Sequence, residues 1–90
     1  MPPERTAQAD PVLSYPDPGL TGREKEVLLV WIRADNKAQV ARTLFITGST
    51  INTHLIRIRR KYACVGRAAT TKAALVARAL QDGLVELDDL

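Results

Sequence analysis

The stretch Gly48-Ser-Thr-Ile-Asn-Thr-His-Leu-Ile-Arg-Ile-Arg-Arg-Lys-Tyr62 separates into two faces when it is wound as a helix at 100° per residue. Ile51, Leu55, Ile58 and Tyr62 recur at i, i+4, i+7 and i+11 and form one narrow apolar stripe. Opposite that stripe fall Ser49, Asn52, Thr53, Ile56, Arg57 and Arg60, with His54, Arg59 and Lys61 on the flanks. The stretch carries no acidic side chain. A helix that only covers a core gains from i,i+4 pairs of opposite charge on its wet face. This face offers short hydrogen-bonding groups first and a run of cations afterwards, an order suited to a polyanion.

The rest of the chain repeats that charge asymmetry. The formal net charge over 90 residues is only +3. Between Asn36 and Gln81, however, there are nine cations (Lys37, Arg42, Arg57, Arg59, Arg60, Lys61, Arg67, Lys72, Arg78) and no Asp or Glu. The acids lie outside, six before Asn36 and four from Asp82 onward. Such a distribution points to a nucleic-acid or anionic-membrane surface more strongly than the net value does. A hydrophobic content of 46% is enough for one thin core. No apolar run approaches the ~20 residues of a spanning helix, and the start lacks the basic-then-apolar order of a secretory signal. A single Cys64 without ligand-spaced partners excludes an internal disulfide and points to the reducing cytoplasm. No nucleophile–base pair, carboxylate pair or phosphate-cradling Gly loop is present, so the sequence does not read as an enzyme. His54 has no second His or paired Cys to share a metal, and no cofactor is expected.

Residues 1–19 hold all five prolines and no apolar period, and read as a flexible arm or linker. Val12, Leu13 and Tyr15 could dock, but a solvated linker is the expected state. Thr21 followed by Glu24 has the form of a capping box, and opens a helix to about Arg33 with Val27, Leu28 and Trp31 on one side. Asn36 with Gln39 repeats the capping logic for a short helix carrying Val40, Ala41 and Leu44 inward. Phe45-Ile46 continue the apolar run through a turn, and Thr47 can cap the long helix. Residues 63–69 read as a loop. Thr70 or Thr71 can cap a last, Ala-rich helix to about Asp82, with Gly83 just past its end. Residues 86–90 form an acidic tail. The expected fold is all-α with four helices.

The turn of about three residues between the second and third helices, with small Ala41 and apolar Ile51 on the same inner face, predicts a helix-turn-helix. The residues add to the spacing. Leu20-Thr21-Gly-Arg23-Glu24-Lys-Glu26-Val27-Leu28, Val40-Ala41-Arg-Thr-Leu44-Phe45-Ile46-Thr47 and Thr50-Ile51-Asn-Thr53-His54 together resemble the LuxR/GerE-type DNA-binding domain. Ile58, Lys61 and Gly83-Leu84 extend the resemblance to about residues 20–85. Gly22 stands where proline is usual, Ala34-Asp35 where a glycine and an apolar residue are usual, and the 63–71 segment is longer than usual. The resemblance implies a four-helix helix-turn-helix bundle from a bacterial transcription regulator, often the output domain of a response regulator.

It also implies roles. Asn52, Thr53, Ile56 and Arg57 would face base edges, Asn pairing with adenine and Arg57 reaching a guanine, although Ile56 also reads as an ordinary exposed aliphatic. The residues themselves, an acid-free cation run and groups at two helix starts, suggest that Lys37, Thr47, Ser49, Thr50, His54, Arg59, Arg60 and Lys61 meet phosphates, Thr47 serving equally as a helix cap. Relatives commonly pair through the fourth helix. The core is expected to take Val76 and Leu80 there, leaving Ala73, Ala77 and Leu84 for a homodimer on DNA. The function implied is sequence-specific duplex DNA binding in regulation of transcription. A sigma-like module whose main partner is RNA polymerase, or a protein-binding helical adaptor, are the alternatives. No membrane and no small-molecule ligand is expected of this domain.

Overall fold

Thr21 opens the first helix with both bonds of the predicted box. Its hydroxyl oxygen accepts from the Glu24 N–H at 3.1 Å, and the Glu24 carboxylate accepts from the Thr21 N–H at 2.8 Å. The computed structural model describes residues 15–90, so residues 1–14 of the arm expected at 1–19 lie outside the described residues. Helix α1 runs Gly22–Arg33, α2 Lys37–Leu44, α3 Gly48–Cys64 and α4 Lys72–Gln81, followed by a short 3-10 turn at Leu87–Asp89. All four predicted helices are there, and no strand occurs among the described residues.

Each helix start has a side-chain cap that satisfies an otherwise orphaned N–H. Asn36, Thr47 and Thr71 accept from the N–H groups of Gln39, Thr50 and Ala74. The Gln39 side chain reaches back one residue further than a capping box requires, accepting from the Asp35 N–H at 2.7 Å. Gly83 has φ +70° just past α4, the left-handed turn its place there suggested.

Helix α1 is the hub and packs on each of the other three, while α2 also packs on α3. Val27, Leu28, Val40, Ile51, Leu55, Ile58, Tyr62 and Leu75 are fully buried. The stripe read from α3 is therefore its core face, complete in all four residues. Burying one such aliphatic side chain contributes roughly 1.5–3 kcal/mol.

Three expectations change. The core takes Leu75 and Ala79 from α4, whereas Val76 and Leu80 only lean against it half-buried. The loop starts later than residue 63, because α3 runs on to Cys64 and absorbs part of the long segment. Phe45 does not continue the apolar run inward. It stands 93% exposed, with the left-handed φ of 57° that ends α2 and turns the chain toward α3.

Candidate nucleic-acid interface

Three residues, Phe45, Ile46 and Thr47, join α2 to α3. The Ala41 carbonyl accepts both the Phe45 and Ile46 N–H groups, the latter at 3.2 Å. Ala41 has no side chain beyond Cβ, so the two helices meet closely there. This turn presents the outer face of α3 to solvent. Ser49, Asn52, Thr53, Ile56, Arg57 and Arg60 are all exposed, Ile56 by 54%. They form the row that the sequence places opposite the stripe.

At the start of α3 three hydroxyls cluster. Thr47 Oγ1 donates to Thr50 Oγ1 at 2.9 Å and lies 3.1 Å from Ser49 Oγ, while capping the Thr50 N–H. The Thr50 hydroxyl hydrogen has no acceptor among the described residues. One turn on, Thr53 Oγ1 donates to the Ser49 carbonyl at 3.0 Å, which leaves its methyl as the outward group. Asn52 Oδ1 accepts from Lys37 Nζ at 2.5 Å, so the first residue of α2 touches the centre of the α3 face. Arg57, Arg59 and Arg60 have no hydrogen-bond or ion-pair partner among the described residues, and Arg42 on α2 shares this state. His54 is half-buried, with Nδ1 out of reach of solvent.

Lys61 is placed differently from its neighbours. Its ammonium lies 2.6 Å from the carboxylate of buried Glu24 and 3.2 Å from the Gly19 carbonyl. It joins α3 to α1 from the inside and is drawn away from the phosphate-facing row to which the sequence assigned it. Burial alone would raise the Glu24 carboxyl, but Lys61 and the Thr21 bonds outweigh it and hold that group below the usual carboxylate range.

Two more of the nine cations are taken up within the fold. Arg67 is 6% exposed and donates to Asp82 at 2.8 Å, to Gln81 and to the Pro16 carbonyl at 2.7 Å. Its guanidinium sits between the Tyr15 and Tyr62 rings, 4.9 and 5.1 Å from their centroids. Tyr62 completes the cluster by donating to the other Asp82 oxygen at 2.7 Å, and burial together with that carboxylate pushes its phenol above the ordinary range. Lys72 donates to the Ala34 carbonyl and lies 4.5 Å from the Trp31 centroid.

The sequence reading missed these internal uses. An Arg in a loop and a Lys in a basic run carry no local sign of a partner 37 or 51 residues away. On α4, Ala73 is exposed, Ala77 is half-buried, and Leu84 beyond the helix lines a cleft with Tyr15, Pro18 and Leu20.

A bundle of capped helices in which α2, a three-residue turn and α3 expose an acid-free row of polar groups and arginines is a helix-turn-helix domain. The family model described as bacterial regulatory proteins, luxR family, matches residues 18–74, more than half of the chain, and the chain belongs to that family. It is accordingly a DNA-binding domain of the kind that regulates transcription. Among curated proteins and among solved structures the chain has no match. The family match ends three residues into α4, so Ala77 and Leu84 lie beyond it. No described helix is long and apolar enough to cross a membrane.

Proposed function

We infer that the domain binds duplex DNA sequence-specifically, with α3 in the major groove. Asn52, Thr53, Ile56 and Arg57 face the bases. Asn52 supplies hydrogen bonds, the outward methyl of Thr53 and the side chain of Ile56 suit a thymine methyl, and Arg57 suits a guanine edge. Thr47, Ser49 and Thr50 meet a phosphate at the start of α3, where backbone N–H groups already favour an anion. Arg59 and Arg60 anchor the strands further along, and His54 borders the same backbone. Lys61 is left out of this set because Glu24 holds it.

One observation carries the reading. Cations that the fold needs are paired inside it, whereas the arginines of the α3 outer face have no partner among the described residues and no acid accompanies them on the helix. A solvated helix face has no reason to keep its cations unmatched; a face that meets phosphates does. The test separates reading from anchoring. Asn52→Ala should cost about 1–3 kcal/mol on the preferred duplex and relax preference at one base pair. Arg60→Ala should weaken all duplexes alike and reduce the salt slope by about one. Equal loss for both variants on preferred and random duplexes would instead support a sequence-blind contact, as in a polymerase-bound or adaptor module.

A further inference from the structure

We propose that Lys37 is a positioning residue for Asn52: it fixes which edge of the Asn52 amide faces a base, and so sets the base that Asn52 accepts. This rests on the reading of α3 as the groove helix and deepens it.

The contact is between residues 15 apart in sequence, on different helices, at 2.5 Å. An ammonium only donates, so the atom turned toward Lys37 has to be the Asn52 oxygen. The usual ambiguity between the oxygen and nitrogen of an asparagine amide is removed by that partner. A bond to a charged donor is also among the stronger ones available at a surface. Lys37 is itself held from behind. Its ammonium lies 5.9 Å from the centroid of Trp31, a half-buried ring packed on the core and flanked by Lys72 as well. Thus α1 seats Lys37, and Lys37 orients Asn52.

The consequence is chemical. Bidentate pairing of an asparagine with adenine needs Oδ1 to accept from N6 while Nδ2 donates to N7, both facing the same base. With Oδ1 turned aside to Lys37, what remains toward the groove is Nδ2, and beside it the spare hydrogens of the Lys37 ammonium. The pair offers donors only. Guanine, with adjacent N7 and O6 acceptors, matches such a pair best, and the amino edge of cytosine matches it worst. Without Lys37 the amide is free to rotate and adenine becomes the better partner.

Selection of bound duplexes from a random pool, at one fixed salt concentration and with the full 90-residue chain, tests this. Lys37→Met keeps an apolar stem against Trp31 and removes the ammonium. The wild type should enrich guanine at the position whose preference Asn52→Ala abolishes. Lys37→Met should turn that position to adenine, changing the guanine-to-adenine ratio by roughly tenfold, while other positions keep their preferences. Lys37→Arg, which retains a donor, should keep guanine. In the free protein the Asn52 side-chain amide resonances should shift on Lys37→Met. Retained guanine preference with uniform weakening on all duplexes would overturn the proposal and make Lys37 a phosphate contact. Unmoved Asn52 amide resonances would overturn it too. If Asn52→Ala leaves every position unchanged, the underlying assignment of Asn52 as a base reader fails, and the proposal falls with it.

Discussion

Among the described residues Phe45 is the one non-glycine residue with a left-handed backbone. A left-handed φ of 57° crowds the Cβ of a bulky residue against the following carbonyl, at roughly 1–2 kcal/mol, and 93% exposure returns nothing through burial. Phe45→Gly should therefore raise stability by about 1 kcal/mol, read as a higher denaturant midpoint at unchanged slope. A lower midpoint would mean that the ring has a packing partner.

Glu24 and Lys61 form the second decisive pair. Replacing Lys61 by Met should lower stability by about 2–3 kcal/mol, because Glu24 is left buried and unpaired while water can still reach part of the site. Its salt slope for duplex binding should stay that of the wild type, unlike that of Arg60→Ala. The pH dependence has a definite sign. The folded Glu24 carboxyl is held below its unfolded value of 4.5, so its contribution is complete above that pH and is lost as pH falls through the folded value. Melting midpoints from pH 6 to 3 should fall more steeply for the wild type than for Glu24→Gln. Parallel curves would show that the pair contributes no pH-dependent stability.

At the scale of the element, α1 offers a direct test of its first turn. The Gly22 N–H is among those a helix start leaves unbonded, a Cβ there would meet open space, and Thr21 before it is extended as a residue preceding proline must be. Gly22→Pro should stabilise the fold by about 0.4–1 kcal/mol, chiefly by restricting the unfolded chain, and calorimetry would show a raised melting midpoint. A fall would mean that this N–H is needed.

Helices were legible where local chemistry determines them. Thr21, Asn36 and Thr47 were each readable as caps, and the four-residue stripe of α3 was readable as core. Helix α4 was legible only as a helix. Ala73, Ala74, Leu75, Val76, Ala77, Ala79 and Leu80 make it apolar nearly all round, so no period distinguishes Leu75 and Ala79 from Val76 and Leu80. The exposed row of α3 followed from its stripe. The fates of Lys61, Arg67 and Lys72 did not, since each depends on a partner brought close only by tertiary packing.

For the whole molecule, Arg67 ties three distant parts together: the end of α3 through Tyr62, the end of α4 through Asp82, and the chain at Tyr15 and Pro16. The segment leading into α1 is therefore docked from residue 15, where the sequence suggested a solvated linker. Arg67→Ala should cost about 3 kcal/mol and speed amide exchange at both α4 and residues 15–19, because Asp82 and Tyr62 lose their shared partner. Pairing of two copies belongs to this scale as well. On α4 Ala73 is exposed while Ala74, Val76 and Ala77 are only half-exposed, little for the ~1,000 Å² that a stable interface needs, so the domain should be a monomer in dilute solution and pair only on a two-fold DNA site. Ala73→Glu should then weaken binding to the two-fold site and spare a half-site, and a tight dimer without DNA in sedimentation would refute it.

The central claim is that the outer face of α3 reads sequence and does not merely attract charge. The most direct measurement is the affinity of the 90-residue chain for its selected duplex and for a base-shuffled duplex of equal length, across a series of salt concentrations. The two affinities should fall in parallel as salt rises, since the phosphate contacts are shared. They should remain apart by a roughly constant factor of at least about a thousand. A gap that closes, leaving one common line for both duplexes, would contradict base reading by α3.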